Sequence, residues 1–304
     1  MGWRIDTYPQ LSRLAQHQLA SFPEHRDYLE RRFADSDATQ LAFDDCVADY
    51  ILRIADREIA RICDDYRWLC GEVLNEELNF RRTGAYRLSS FEQALKEVYS
   101  NTAYMSRYMN GLLASQIWWQ NHTEVLRFFR DTFIAGNPDP FDHLEVGPGH
   151  GLFLHLAAQS PKCRLATGWD ISEASLAGAR ATVDMLGTGA KVELANVNLF
   201  SAPATSFASI AFSEVLEHLE QPLDALRILH GLLADGGRIF INAPVNSPAP
   251  DHIFLFSTPE QIVQLVQQAG FTVIDTLFAP ATGANLERAR KRKLSISTAI
   301  IGTR

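Results

Sequence analysis

The feature that most constrains the fold of this 304-residue chain is a strand-like segment that runs directly into three closely spaced glycines. The segment reads Leu144-Glu-Val-Gly-Pro-Gly-His-Gly151, and an apolar, helix-like stretch follows it at once. Glycines at such a turn allow the backbone to approach a ligand closely at a helix N-terminus, where N–H groups are free. A strand, a glycine turn and a helix in this order predict an α/β fold with a ligand loop at the carboxyl edge of its sheet.

The spacing of Gly147, Gly149 and Gly151 is G-x-G-x-G. The dinucleotide fingerprint G-x-G-x-x-G would need a glycine at position 152, where this chain has Leu152, so an NAD-dependent oxidoreductase is disfavoured. About nineteen residues further on, Asp170 ends the next predicted strand, where a carboxylate can accept hydrogen bonds from both ribose hydroxyls. The loop and the acid together predict a site for a nucleoside-containing cofactor.

Two parts of the chain follow different hydrophobic patterns. Residues 1–134 read as helices: an apolar stripe recurs at helical spacing from Leu41 onward, and a second helical stretch starts at Ser89-Ser90 and continues to Phe133. The segment Ala135-Gly-Asn-Pro-Asp-Pro140 breaks that pattern. We therefore predict a helical N-terminal lid domain at 1–140 and a cofactor-binding domain at 141–304.

After Pro140 short apolar strands alternate with helices. This alternation predicts parallel pairing with right-handed crossovers, that is, a doubly wound, Rossmann-like α/β sheet. The predicted strands are His143–Val146, Arg164–Trp169, Lys191–Leu194, Ser209–Phe212, Gly237–Asn242, Thr272–Leu277 and Ser295–Ile301.

Composition excludes several classes of protein. A net charge of −8 disfavours a nucleic-acid binder, because phosphate neutralisation needs a basic face. No segment approaches the ~18 consecutive apolar residues of a membrane span, and no apolar signal-peptide core follows the N-terminus. The four cysteines form no C-x-x-C pair and have no metal-ligand spacing. We expect a cytoplasmic protein with reduced thiols, a small-molecule substrate, no nucleic-acid partner and no membrane association.

Four motifs, in order along the chain, carry a family resemblance. They are Leu144-Glu-Val-Gly-Pro-Gly-His-Gly151, Gly168-Trp-Asp-Ile-Ser172, Ser213-Glu-Val-Leu-Glu-His-Leu-Glu-Gln-Pro222 and Leu232-Leu-Ala-Asp-Gly-Gly-Arg-Ile-Phe-Ile241. With these motifs, residues 141–304 resemble the class I S-adenosyl-L-methionine (SAM) methyltransferases, and more closely the small-molecule branch that includes ubiquinone-type O-methyltransferases. Residues 1–134 are not covered by the resemblance.

The resemblance implies SAM as the cofactor and a seven-stranded sheet whose last strand is antiparallel. It also implies that Glu145 and the glycines lie beneath the methionine part of SAM, with Asp170 at the ribose and Asn196 near the adenine. Two positions depart from the family: Asn196 replaces the usual Asp, and Ala208 stands where an acid is usual. The predicted cofactor-binding residues are Glu145, Gly147, Gly149, Gly151, Asp170, Ile171, Asn196, Val197 and Glu214.

Candidate catalytic residues follow the fourth strand. On a helical turn Glu214 would share one face with Glu217 and His218, and His252 follows the fifth strand on a loop that returns to the same edge. We predict catalytic roles for Glu217, His218 and His252. The pattern E-x-x-E-H with a later D-H also resembles the metal-binding set of small-RNA 2′-O-methyltransferases, so Glu214, Glu217, His218 and His252 are candidate ligands of a divalent ion. The alternative is that these residues only shape the pocket, and a metal is not favoured.

Aromatic residues are frequent just before the domain boundary, at Tyr99, Tyr104, Tyr108, Trp118 and Trp119. They fit the buried face of a helix that packs against the sheet. They also fit a lid in which Tyr104 and Tyr108 close over the cofactor and substrate.

The basic run Arg288-Ala-Arg-Lys-Arg-Lys293 reads as a solvated connection between the last two strands. Docking to an acidic carrier protein or to an anionic substrate is the alternative.

The sequence therefore predicts a SAM-dependent methyltransferase that acts on a small molecule, with oxygen as the preferred acceptor atom, then nitrogen, then carbon. Two alternatives stay open. The enzyme could use SAM itself as substrate, with intramolecular cyclisation that releases methylthioadenosine, or the chain could be a non-catalytic SAM-binding scaffold.

Overall fold

The computed structural model describes residues 3–304. Residues before the first strand form helices, as the apolar periodicity predicts. Asp37 starts the third helix with a reciprocal capping pair to Gln40, and Gly84, in a left-handed conformation, ends the fourth. These helices are α1 (Pro9–Ser21), α2 (Arg26–Ala34), α3 (Ala38–Ala55), α4 (Ile59–Thr83), α5 (Phe91–Ala94), α6 (Thr102–Trp118) and α7 (Gln120–Phe128).

Wider π-helical turns interrupt the long helical stretch predicted from Ser90 to Phe133. They span Leu95–Tyr99 and Phe129–Ile134, next to α5 and α7 respectively. Ser90 caps the start of the stretch, since its hydroxyl accepts from the Gln93 N–H at 3.3 Å.

Seven strands form one sheet in the order β3-β2-β1-β4-β5-β7-β6. Strands β1 to β5 pair in parallel, whereas β7 pairs antiparallel with both β5 and β6. The doubly wound fold and the antiparallel last strand are confirmed. The strands are β1 (Phe141–Val146), β2 (Cys163–Asp170), β3 (Val192–Asn196), β4 (Phe207–Ser213), β5 (Leu233–Val245), β6 (Thr272–Pro280) and β7 (Ile296–Thr303).

Five helices complete the crossovers and the sheet edge. They are α8 (Leu152–Gln159), α9 (Glu173–Met185), α10 (Pro222–Leu232), α11 (Pro259–Gln268) and α12 (Leu286–Arg292). The chain order reverses between β1 and β4, which places a ligand crevice outside the carboxyl ends of those two strands.

The helical residues and one face of the sheet share a single apolar core. Trp118 and Phe129 from the helices belong to the same buried cluster as Leu154 beside β1 and Phe240 in β5. Burial of this continuous apolar surface holds the N-terminal helices against the sheet. Among residues 3–304, none of the helices combines the length and apolar composition that a bilayer crossing requires.

Candidate active site

The glycine loop leaves β1 in a conformation that glycine adopts easily and other residues rarely adopt. Gly147, Gly149 and Gly151 have φ angles of 74°, 51° and 78°. A Cβ on Gly151 would lie 3.1 Å from the Ala179 Cα in α9, so this glycine also permits close packing of helix on helix. A Cβ on Gly149 would meet only the Met109 Cε of α6, at 3.6 Å, and the loop therefore presents bare backbone beneath α6.

Glu145 lies one residue from the end of β1, inside the protein. It is 2% exposed, and its Oε2 has no hydrogen-bond partner. Burial raises the pKa of its carboxyl well above the usual value. A buried acid without a donor at the base of the glycine loop is a suitable acceptor for an ammonium group of a ligand.

Asp170 ends β2 beside Asn196, its register partner at the end of β3. The Ser172 N–H and the Ser175 hydroxyl each donate to its carboxylate at 2.8 Å, which fixes the direction of the carboxylate. The Asn196 amide donates to Glu173 at 2.6 Å. Two more of the predicted cofactor residues lie at this edge. Ile171 is 54% exposed, and the Val197 N–H donates to the Asp170 carbonyl at 3.1 Å.

These features fit SAM. The methionine part needs close backbone approach and an acceptor for its ammonium, which the glycine loop and the unpartnered Glu145 oxygen offer. The ribose needs a fixed carboxylate at the end of the next strand, which Asp170 supplies.

Glu214 directly follows β4 with a φ of 54°, in the left-handed region that non-glycine residues rarely occupy. The predicted helical turn through Glu214, Glu217 and His218 is therefore wrong: only Leu216–His218 form a single 3₁₀ turn. Asn242 of β5 holds Glu214 in this geometry, since its carbonyl accepts the Glu214 N–H at 2.8 Å and its amide donates to Oε1 at 2.6 Å. Strained backbone of this kind concentrates at functional sites.

The residues Glu217, His218 and His252 nevertheless converge. The Glu217 Oε1 lies 3.8 Å from the His218 Nε2 and 4.0 Å from the His252 Nε2. Glu217 is fully buried, and neither of its carboxylate oxygens has a hydrogen-bond partner.

The tautomers of both imidazoles follow from their neighbours. The His252 Nδ1 lies 2.7 Å from the Ser247 carbonyl, and the His218 Nδ1 lies 3.1 Å from the Asp251 carbonyl. A carbonyl can only accept, so each Nδ1 carries a hydrogen. Burial lowers the pKa of His252 to about 4, so this ring is neutral at pH 7.

The two acids of this loop share a strongly perturbed environment. Burial raises the pKa of Glu214 to about 7 and that of Glu217 well above its usual value, and the adjacent Glu214 charge raises the pKa of Glu217 further. The pair can hold one proton between them near neutral pH.

Asp251 is a site residue that the sequence reasoning missed. It is 4% exposed, and its carboxylate accepts from the Tyr108 hydroxyl at 2.8 Å and the Tyr99 hydroxyl at 3.1 Å. Burial alone would raise its pKa, but the imidazoles of His218 and His252 and the two hydroxyls lower that pKa below its usual value. The signal for it is the D-H pair at Asp251-His252, of which the sequence analysis predicts a role for the histidine alone.

Of the two tyrosines predicted to form a lid, the structure brings Tyr108 to the acid cluster and turns the Tyr104 hydroxyl elsewhere. Tyr104 stacks on Tyr108 with ring centroids 6.2 Å apart, and its hydroxyl donates to Glu72 at 2.9 Å. Tyr99 is not among the predicted lid residues, but its hydroxyl contacts both Asp251 and the His218 Nδ1, the latter at 3.2 Å.

Further contacts join the N-terminal helical part to the site. Arg87 donates to the Pro250 carbonyl at 3.2 Å, and the Tyr86 hydroxyl accepts the Ser247 N–H at 3.0 Å. The acid cluster also adjoins the glycine loop, because a Cβ on Gly147 would lie 2.8 Å from the Val215 Cγ2. Cofactor loop, acid cluster and helical cover therefore form one continuous site.

The set Glu217, His218 and His252 can also bind a metal ion. One possible ligand atom from each residue lies within 4.8 Å of those of the other two, and a carboxylate with two imidazoles suits several divalent ions. Glu214 is adjacent, but Asn242 occupies one of its oxygens.

Comparison with known proteins agrees with this geometry. A family model described as "Methyltransferase domain" matches residues 118–276. The ubiquinone biosynthesis O-methyltransferase of Pseudomonas paraeruginosa is 29% identical over 126 residues, which are 40% of this chain and 52% of that protein. The chain thus spans about half the length of the curated relatives it matches.

Two solved structures share the fold at low sequence identity. An O-methyltransferase family protein from Burkholderia thailandensis superposes with a TM-score of 0.55 at 15% identity, over 81% of this chain and 71% of that one. PigF, in a structure with S-adenosylhomocysteine (SAH), superposes with a TM-score of 0.55 at 15% identity, over 81% of this chain and 74% of that one.

The strand order, the glycine loop and the acid at the end of β2 form a Rossmann-like fold with a ligand crevice at the carboxyl edge of its sheet. The family match covers more than half of the chain. The chain therefore belongs to the methyltransferase-domain family of class I SAM-dependent methyltransferases.

Proposed function

We propose that this protein transfers the methyl group of SAM to a small molecule whose nucleophile is oxygen or nitrogen, and that residues 1–140 cover the site as a lid. The observation that carries the proposal is the buried cluster of Glu217, His218 and His252. It lies next to the glycine loop and beneath tyrosines from the helical part. Bound SAM supplies a methyl group on a sulfonium, which an incoming nucleophile displaces in line.

The residues of this chain would bind and orient both reactants. The glycine loop and Glu145 would hold the methionine part, and Asp170 would hold the ribose. Ile171, Asn196 and Val197 would border the adenine, and Glu214 would border the methyl group. This cofactor assignment rests on their positions at the carboxyl ends of β1 to β4.

Proton removal from a hydroxyl acceptor is assigned to His218. The side chain is 20% exposed, and the Asp251 carbonyl and the Tyr99 hydroxyl fix the ring through Nδ1, which leaves Nε2 to face the acceptor. Tyr99 and Tyr108 would exclude water above this base, since both hydroxyls are held by the Asp251 carboxylate.

Methyl transfer can proceed without a metal ion, because holding the nucleophile in line with the methyl group supplies much of the acceleration. The prediction of a divalent ion at Glu214, Glu217, His218 and His252 has its own test. Turnover that survives exhaustive chelation excludes an essential ion, and turnover restored only by one added metal establishes it.

That an acidic carrier protein delivers the acceptor remains a prediction. A shallow cleft of about 560 Å³ lies beside α12, and its lining includes Arg81, Arg288, Lys291 and Arg292. An acidic partner would complement this cleft. Reversal of charge at Arg288 and Lys291 should weaken turnover of a carrier-bound acceptor and leave turnover of the free acceptor unchanged.

The deciding experiment incubates the purified protein with SAM labelled in the methyl group, first alone and then with cell extract, followed by mass spectrometry of every new product. A labelled small molecule formed together with unlabelled SAH establishes methyl transfer and identifies the acceptor. Methylthioadenosine formed without extract would make SAM itself the substrate. Tight SAM binding with neither product would support the scaffold alternative.

A further inference from the structure

A polar cavity in the N-terminal helical part is used by no step of the proposed transfer. Its volume is about 350 Å³, at the small end of the range for small-molecule sites. Residues of α2, α3 and α7 line it, together with the loop between β6 and α12. Within residues 3–304, the lining includes none of the residues assigned above to SAM or to its acceptor. The cavity is therefore separate from the candidate active site.

Two buried, charged side chains of this lining are incompletely paired. Arg32 is 5% exposed and Asp44 is 2% exposed. A single hydrogen bond joins them, from the Arg32 Nη2 to the Asp44 Oδ1, and its length of 3.3 Å is long for a bond between charged groups. In the described part of the chain, neither the Arg32 Nε nor the Asp44 Oδ2 has a hydrogen-bond partner. A buried donor and a buried acceptor without partners destabilise the protein until a ligand supplies both.

The surroundings of Arg32 leave its hydrogen-bonding edge available. The guanidinium carbon lies 4.6 Å from the centroid of the Phe33 ring, so this ring covers one face of the guanidinium. A guanidinium directs all of its N–H donors in its own plane, in a fork that matches the two oxygens of a carboxylate. The free edge of Arg32 therefore suits the carboxylate of a ligand.

The charges around the cavity indicate which ligand fits. Three arginines and three acids line it: Arg31, Arg32, Arg127, Asp35, Asp44 and Glu124. Burial raises the pKa of the Asp44 carboxyl to about 6, and the Arg32 charge opposes that rise, so Asp44 is ionised at pH 7. A simple anion would pair with Arg32 but would bring a second negative charge to Asp44, and a simple cation would do the reverse. A ligand that carries both charges satisfies both residues.

We propose that this cavity binds a free α-amino acid in its zwitterionic form. The ligand carboxylate pairs with the edge of Arg32, and the ligand ammonium donates to the Asp44 carboxylate. The exposed residues Arg31 and Asp35 also line the cavity, which gives the ligand access from the surface. The bound amino acid would connect α2 and α3 with α7 and the loop before α12. This inference goes beyond the proposed methyl transfer, because the cavity holds a further ligand and neither of the two reactants.

The test measures binding of each of the twenty standard amino acids, one at a time, by ligand-observed NMR with saturating SAH. SAH occupies the methionine site at the glycine loop, so an amino acid detected under these conditions binds elsewhere. At least one amino acid should bind, and at least about tenfold more tightly than its decarboxylated amine or its deaminated acid, because each analogue lacks one of the two charged contacts. Binding of none of the twenty, or equal binding of either analogue, would overturn the proposal.

A double variant, Arg32→Met with Asp44→Leu, locates the binding site. Replacement of a buried ion pair by apolar residues of similar volume is often neutral or stabilising, so this variant should keep its fold and its SAH affinity. Its affinity for the amino acid should fall at least tenfold. Arg26→Met with Glu30→Leu is the matched control, because this ion pair of α2 is exposed, with 3.9 Å between the Arg26 Nη1 and the Glu30 Oε1. The control should leave both affinities unchanged.

Arg127→Gln is a second variant, and it leaves the buried pair intact. Arg127 lines the cavity from α7 and is only partly buried. Loss of its positive charge should weaken amino-acid binding at least about threefold and leave the unfolding midpoint in urea unchanged. If the double variant fails to bind SAH, Arg127→Gln decides the outcome. Amino-acid affinity unchanged in both variants would place the ligand elsewhere and overturn the proposal.

Discussion

The hydrogen bond between Tyr108 and Asp251 should be a major link between the helical part and the catalytic loops. The hydroxyl donates to the carboxylate at 2.8 Å, and each residue is only 4% exposed. A hydrogen bond to a buried charged group contributes roughly 1.5–3 kcal/mol, so Tyr108→Phe should lower the free energy of unfolding by about 2 kcal/mol. That loss corresponds to roughly a 30-fold change in the folding equilibrium.

Urea unfolding followed by tryptophan fluorescence measures this change. Tyr104→Phe is the matched control, because Tyr104 stacks on Tyr108 but donates to Glu72 from a partly exposed position. Tyr104→Phe should lower the free energy of unfolding by less than about 1 kcal/mol, because exposed polar pairs contribute little to stability.

A double-mutant cycle of Tyr108→Phe with Asp251→Asn should give a coupling of about 1 kcal/mol, because the two residues contact each other. A loss for Tyr108→Phe no larger than that for Tyr104→Phe, together with a coupling near zero, would refute the reasoning.

Three further changes test the cofactor loop and the core. Asp170→Ala should weaken SAM binding at least about tenfold by calorimetry, and a change within twofold would contradict the ribose assignment. Gly151→Ala should lower the free energy of unfolding by more than about 1 kcal/mol, because the φ of Gly151 is 78° and the new Cβ would crowd α9. Gly178 lies within α9 with open space around it, so Gly178→Ala should raise the free energy of unfolding by about 0.5–1 kcal/mol. Burial lowers the pKa of His143 to about 3, so the folded state binds fewer protons than the unfolded state and stability falls below pH 6.5. Between pH 7.5 and 5.0 the wild type should therefore lose about 2 kcal/mol more in urea unfolding than His143→Phe, and equal losses would contradict this.

The fold was predictable because its signals are local. Each of the seven predicted strands is present, with its ends shifted by a few residues, since apolar runs between turn residues require only nearby sequence to recognise. The loop from Gly147 to Gly151 was recognisable for the same reason: three positive φ angles within five residues leave glycine as the favoured residue.

The catalytic loops were only partly predictable. Glu217, His218 and His252 do converge, but the predicted reason, a helical turn through Glu214, is wrong. Contacts with Asn242 on the neighbouring strand hold Glu214 in a left-handed conformation, and strand pairing of this kind is not encoded next to the residue it constrains.

The sequence by itself determined the order of strands and helices, the cofactor loop and the acids at the strand ends, because each follows from residues close together in the chain. Tertiary structure alone decided which tyrosines reach the site. Tyr108 meets Asp251 across 143 residues of sequence, whereas Tyr104, one helical turn earlier, meets Glu72 of α4. The path of α6 over the loop after β5 decides this, and that path is set by the shared apolar core, to which residues from both parts of the chain contribute.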